Sequence, residues 1–390
     1  ICEAPVSEQE WSAVYSAAVQ LLQSGAIEHV LDSSYSGVFV DEYQDCNVLQ
    51  HKVVKRLAER LPVCVFGDPL QSIFDFKGQK PVEWDSDVYP VFKKTEQLVT
   101  PWRWRNAGNC ELAEWLAELR VKLESGDSVD LRNRPKCVSW HQLPSDPQFR
   151  QSKVIGTCKA IIGTTNSGNL AVIGDPANIN ARTSLAQKLA KAGFSNLEPL
   201  NCTRLYSFAQ KIEAASGIEQ LEKGVDFICA CMTGAERSPF LNAIRSRSQS
   251  KTVGKAKFGD LISAGLAVAG GEGTEALLQL FLGFQKRSDT YLFCREMFFA
   301  MCSALQIKIS RPQTSLTDAI WEVQNRVRHS GRKLARRCIG STLLLKGLEF
   351  DHSVIVQATS MSRKDWYVAL TRATTTVTVL SSDDCFSPAP

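Results

Sequence analysis

Two adjacent carboxylates, Asp41 and Glu42, close a short apolar run, Gly37-Val38-Phe39-Val40. Such a run reads as a buried strand of a parallel sheet, with the acids emerging at its carboxyl edge. Open α/β sheets bind their ligands at that edge. One carboxylate can hold a metal ion there while its neighbour polarises a water. The plainer reading is an acidic turn that caps the helix beginning near Val48. A second strand pattern, residues 63–66, runs into Gly67-Asp68-Pro69-Leu70-Gln71-Ser72-Ile73-Phe74. The neutral amide of Gln71 can hydrogen-bond both a phosphate oxygen and a water. Phe74 and Phe76 alternate with Asp75, and Lys77 follows. An aromatic on an exposed turn can stack on any base, and a basic neighbour can hold the phosphate. The common fate of phenylalanine is burial, which is the expectation for Phe74.

Positioning these groups requires ordered elements on either side. Residues 8–32 read as helical, with Trp11, Val14, Tyr15, Ala18, Leu21 and Leu22 near a 3.6-residue spacing. Strand 37–40, helix 48–60 and strand 63–66 form a β-α-β pattern, with Pro62 before the second strand. Its crossover brings Asp41, Glu42 and the 67–71 turn to one sheet edge. Leu98-Val99-Thr100-Pro101-Trp102-Arg103-Trp104-Arg105-Asn106 precedes an amphipathic helix carrying Leu112, Trp115, Leu116 and Leu119. Residues 124–152 read as loop and sheet edge, with a short strand near 137–140. Residues 159–163 and 170–173 read as a strand pair, and 183–192 as a helix. From about 207 to 330 the chain is helix-like and poor in motifs, with a Gly-rich loop at 269–273. Strands are expected at 353–357 and 376–380.

The 390 residues suffice for two or three domains with sizeable cores. Hydrophobic content of 44% and charged content of 22% are those of an ordinary globular protein. A formal net charge of +4 permits a local nucleic-acid groove without arguing for one. Thirteen cysteines are scattered without a CxxC pair, which reads as reduced thiols in a cytoplasmic protein, many packed as small apolar residues. No apolar stretch is long enough to cross a bilayer, so no membrane partner is expected.

The ordered set of motifs resembles UvrD/Rep-type superfamily 1 helicases. Asp41-Glu42 with Gln44-Asp45 matches their Walker B motif, and the 67–74 segment matches their third motif. Ser341 to Phe350, with Lys346-Gly347-Leu348-Glu349-Phe350, matches the fifth, although Leu343 stands where the family has His. Trp366-Tyr367-Val368-Ala369-Leu370-Thr371-Arg372-Ala373 matches the sixth. The resemblance covers roughly residues 37–110, 170–200 and 335–380.

The resemblance implies an α/β fold of two RecA-like parallel-sheet P-loop motor domains, the first incomplete, with a helical insertion subdomain. The expected division is 1–97 for the first domain, 98–206 for the first segment of the second, 207–330 for the insertion and 331–390 for the second segment. It implies ATP and Mg²⁺ as cofactors and single-stranded or partly duplex DNA as partner. Asp41 is then the metal ligand, Glu42 the base that orients water, and Gln71 the γ-phosphate sensor. Arg372 is the expected arginine finger, and Arg103 the second arginine on the γ-phosphate. Trp102 would stack on adenine, although Trp104 and Arg105 fit the fourth motif by their spacing to the following helix. Gly347 and Glu349 would approach the nucleotide, and Phe76, Lys77 and Ser341 the DNA. No GxxxxGK[ST] loop occurs in the sequence, so the phosphate-binding loop is expected upstream of Ile1. The resemblance also admits a helicase-like subunit that senses nucleotide or DNA ends for a partner nuclease, as in Gabija-type anti-phage systems.

Overall fold

The computed structural model describes residues 8–74, 80–164, 168–175, 178–199, 202–248, 258–356 and 361–389. In chain order the first elements are α1 (Glu8–Gln23), α2 (Glu28–Ser34), β1 (Val38–Val40), α3 (Val48–Ala58) and β2 (Val63–Val65). There follow α4 (Trp102–Asn106), α5 (Cys110–Ser125), β3 (Val129–Asp130), β4 (Val138–Gln142), α6 (Pro147–Thr164), β5 (Leu170–Ile173), α7 (Ile179–Leu189) and β6 (Phe194–Asn196). A helical stretch comes next: α8 (Thr203–Ala214), α9 (Gly217–Cys231), β7 (Met232–Thr233), α10 (Arg237–Ser248), α11 (Leu261–Ala269), α12 (Thr274–Lys286), β8 (Tyr291–Leu292), α13 (Arg295–Ser310) and α14 (Leu316–Ser330). The chain closes with β9 (Arg337–Gly340), α15 (Thr342–Leu345), β10 (Phe350–Val356), α16 (Arg363–Leu370), β11 (Ala373–Ser381) and β12 (Cys385–Phe386). These elements form two compact units. The first comprises Ile1–Asp130, Ser360–Thr371 and Cys385–Pro390, and the second Leu131–Thr359 and Arg372–Asp384.

In the first unit β1 and β2 pair in parallel, with Val38 opposite Val63 and Val40 opposite Val65. Between them α3 starts at a capping box: Gln50 N donates to Asn47 Oδ1 and Asn47 N donates to Gln50 Oε1, both at 2.9 Å. The acids at the end of β1 therefore do not cap this helix. α1 rests on α3, and Gln50 Nε2 donates to Tyr15 Oη at 3.0 Å. The single helix expected over 8–32 is instead two helices, because Gly25 takes a left-handed φ of +72° between them. Tyr43, Val54, Val82 and Val88 form the local core, with Trp84 and Phe92 packed against it. Elsewhere in this unit α5 buries Leu112, Trp115, Leu116 and Leu119, and Trp366 of α16 stacks on Phe386 at 4.8 Å. One face of the β1–β2 pair is open: Phe39 is 80% exposed, and its ring stacks on that of Phe66 with centres 6.1 Å apart.

The second unit is built on a six-stranded parallel sheet in the order β4-β11-β10-β5-β9-β6. β5 is a continuous apolar run, and β10 ends in one, Val354-Ile355-Val356, because both faces of a parallel sheet are covered. The strand expected at 137–140 is the edge strand β4. Residues 159–163 are not a strand but the end of α6. Val154 and Cys158 are buried one helical turn apart, and the Ile161-Ile162 pair imitates a strand only locally. Helices occupy most of 203–330 and share an aromatic core in which Phe227 stacks on Phe281 at 5.2 Å. Burial pushes the Cys158, Cys302 and Cys338 thiols up to about 12, so they pack as small protonated apolar groups. Among the described residues no helix is long and apolar enough to cross a membrane.

His51 sits under the core of the first unit, 6% exposed, with Nδ1 2.8 Å from Tyr43 Oη. Burial holds its pKa below the usual histidine value, Lys55 adds to this, and Asp87 opposes it. The folded state therefore resists protonation that the unfolded chain accepts. Stability is expected to fall as pH drops below about 6.5, by at most about 1.4 kcal/mol per pH unit, until the folded group itself titrates. Urea melts between pH 7.5 and 5 check this, and His51→Gln should flatten the histidine-dependent part of the profile.

Candidate functional site

The strand pairing continues past β1 and β2 and brings their carboxyl ends together. Phe66 N donates to Val40 O and Tyr43 N donates to Phe66 O, both at 2.8 Å. Asp41 and Glu42 are exposed at this edge, beside the turn that begins at Gly67. Glu42 has φ 53° and ψ 40°, a left-handed conformation uncommon for a residue with a β-carbon. Local bonds hold it there. Its N–H donates to Asp41 Oδ1 at 2.8 Å, and its carbonyl accepts from Asp45 N at 2.9 Å.

Gln44, 2% exposed, joins the two strand ends. Its Nε2 donates to Glu42 Oε2, and its Oε1 accepts from Asp68 N at 2.9 Å. Its carbonyl accepts from Ser72 Oγ at 3.1 Å. Gly67 leaves room for this amide: a β-carbon there would lie 2.7 Å from Gln44 Oε1 and 2.8 Å from the Trp84 ring.

The turn after Gly67 is organised by Asp68. Its Oδ1 accepts from Leu70 N at 3.1 Å, and its Oδ2 accepts from Gln71 Nε2 at 2.9 Å. Arg120 of α5 grips the same carboxylate with both terminal nitrogens, at 2.8 and 2.9 Å. Burial raises the Asp68 pKa, but the hydrogen bonds from Arg120 and Gln71 outweigh it and hold the carboxyl below its ordinary value. Arg120 also donates to Tyr367 Oη at 2.9 Å and to Glu124 Oε1 at 2.9 Å. Its guanidinium lies 5.1 Å from the Tyr367 ring centre.

The remaining expected residues fall into two groups. In the first unit Arg103 donates from Nη1 to the Thr371 carbonyl at 2.6 Å, while Trp102 is 64% exposed and Arg105 lies over its ring at 5.9 Å. The anchored arginine is thus Arg103, and Arg105 is exposed. Phe74, expected in the core, is 40% exposed, three residues past the Pro69–Gln71 turn. Phe76 and Lys77 lie outside the described residues. In the second unit Arg372 is 2% exposed and donates from Nη1 to Leu348 O at 3.3 Å, and Phe350 N donates to the Arg372 carbonyl at 2.9 Å. Arg372 is therefore tied to the loop that holds Gly347, at φ +76°, and the exposed Glu349. Ser341 is buried and caps α15, accepting from Leu344 N at 3.4 Å.

Asp41, Glu42 and Gln71 thus converge within one unit, and Arg372, Gly347 and Glu349 within the other. Motif spacing does not single out Gln44, Asp68, Arg120 or Tyr367 as site residues. For Gln44 and Asp68 a signal is present, an amide and a pre-proline acid inside two motif strings. For Arg120 nothing in its own helix distinguishes it from Lys122, the other cation of α5.

Asp41 and Glu42 supply hard carboxylate oxygens at a strand edge, the donor type that suits Mg²⁺. Residues 7–85 match the family model of the UvrD/REP helicase N-terminal domain, a span that contains both strands and both turns of this site. A curated relative, an ATP-dependent helicase/nuclease subunit of Oenococcus oeni (strain ATCC BAA-331 / PSU-1), is 34% identical over 77 residues. That stretch is 20% of this chain and 6% of the relative's length.

Gly67→Ala is expected to destabilise the first unit by about 1–3 kcal/mol, because the added carbon must displace Gln44 or Trp84. A denaturant midpoint shift checks this, and an unchanged midpoint would show that the Gln44 tie is loose.

Proposed function

Starting from a chain that is UvrD-like over residues 7–85, we propose that it is the nucleotide-dependent part of a DNA translocase of the helicase type. The observation that carries this reading is the convergence of Asp41, Glu42 and Gln71 at the carboxyl ends of two parallel strands. ATP and Mg²⁺ are the cofactors this donor set fits, and Mg²⁺ when bound neutralises charge on the phosphates. Asp41 holds the metal. Glu42, fixed by Gln44, orients the attacking water and takes its proton at Oε1 or Oε2. Gln71 senses the γ-phosphate. Trp102 stacks on the base, and Arg103 and Arg372 stabilise charge on the phosphoryl group, a contribution of roughly 10³-fold or more in related reactions. For Arg372 this requires its guanidinium to exchange the Leu348 carbonyl for the nucleotide.

The two units correspond in this reading to RecA-like motor domains, with the helices of 203–330 as an insertion. The sequence holds no GxxxxGK[ST] loop. Hydrolysis therefore requires that loop to be supplied, and the open Phe39 face of the β1–β2 pair is where a loop-bearing segment would pack. Phe76 and Lys77 would contact single-stranded DNA, and Ser341 would act through its helix cap.

A second reading is a helicase-like subunit that regulates a nuclease. The name of the Oenococcus relative, a helicase/nuclease subunit, favours a nuclease partner. Strand displacement with and without that partner separates the two: unwinding by the purified protein alone supports the motor, and nuclease control without unwinding supports the regulator.

Glu42→Gln in the loop-complete protein is expected to abolish DNA-stimulated ATPase while nucleotide binding persists; unchanged turnover would remove Glu42 as the base. Phe76→Ala is expected to weaken single-strand binding by about 1–3 kcal/mol in a fluorescence titration. Equal affinity would remove Phe76 from the DNA path.

A further inference from the structure

Gln71 and Arg103, the two first-unit groups assigned to the γ-phosphate, are joined by a continuous set of side-chain and backbone contacts. Gln71 Nε2 bonds Asp68 Oδ2, and Asp68 is gripped in a fork by Arg120. Arg120 bonds Tyr367 Oη on α16, and the residue just past that helix, Thr371, gives its carbonyl to Arg103. Thr371 N in turn donates to Tyr367 O at 3.1 Å, so the helix end that holds Arg103 is the turn that carries Tyr367. All of these residues belong to the first unit.

We propose that Arg120 is a positioning residue that sets Gln71 and, through Tyr367 and α16, Arg103 in one frame. The proposal rests on the nucleotide reading above and deepens it. Two physical properties make Arg120 suited to the task. Its fork fixes both the position and the rotation of the Asp68 carboxylate, which a lysine point charge does not. It also neutralises the carboxylate of the turn that follows β2, on the segment that must receive a polyanion. Asp68 can then orient Gln71 without repelling phosphate. In the state seen here the Gln71 amide donor is engaged by Asp68. Contact with a γ-phosphate requires it to share or leave that bond while Arg120 keeps the turn in place.

The test uses the full-length protein. Arg120→Gln is expected to raise hydrogen exchange at the Leu70, Gln71 and Ser72 amides about tenfold or more, with α3 amides unchanged. It is expected to lower kcat about tenfold or more while KM for ATP stays within about threefold. Arg120→Lys, which keeps the charge and loses the fork, should restore little of kcat. Combined with Gln71→Ala, Arg120→Gln should add less than its loss alone, because only its share through Arg103 remains. Unchanged exchange at residues 70–72, or losses that simply add, would overturn the positioning role. A general rise in exchange across the unit would also overturn it, by making Arg120 a stability residue only. Wild-type protein without ATPase, but with Arg120-dependent exchange, would overturn the nucleotide reading and leave the Arg120 frame standing.

Discussion

The first unit depends on the carboxamide of Gln44. One end of it accepts from the backbone of the Gly67-Asp68 turn and the other donates to Glu42. A carboxamide is suited to this place because it offers a donor and an acceptor in one plane and carries no charge. A carboxylate there would repel Glu42, and a lysine could not accept from Asp68 N. Buried as it is, Gln44 has no water to replace either bond, so both strand ends keep a fixed separation. Glu42 can then hold a left-handed backbone that an unconstrained glutamate would leave.

From this tie outward the first unit is a relay of polar contacts lying on a small aromatic core. Tyr43, Trp84 and Phe92 pack edge to face beneath Gln44. Asp68, Arg120 and Tyr367 then carry the order from the turn to α16. The second unit is organised differently. Its parallel sheet and helical aromatic core are mostly apolar, and its site residues stand on the loops at β10 and β11.

The strands at the centre of each unit were legible because short apolar runs bounded by turn residues have few other solutions. Asp41, Glu42 and Gln71 stood out because their neighbours form ordered strings. Residues 159–163 misled because two adjacent isoleucines favour a strand locally, while burial of Val154 and Cys158 at helical spacing decides the outcome over the longer segment. The break at Gly25 was visible as a glycine, but a glycine alone does not end a helix: Gly156 and Gly163 lie inside α6. Arg120 was not legible at all. Its role comes from a contact with Asp68, 52 positions away in the chain, and no local pattern encodes such a pairing.

In the proposed function the carboxyl edge of β1 and β2 receives a metal–nucleotide through Asp41. Electron paramagnetic resonance of Mn²⁺ with a non-hydrolysable ATP analogue tests it directly, on the full-length protein. The expected result is a protein-bound Mn²⁺–nucleotide signal in the wild type. Asp41→Asn should lose about tenfold or more in Mn²⁺ affinity, with metal-free nucleotide still bound. Equal Mn²⁺ affinity in the two proteins would contradict the claim.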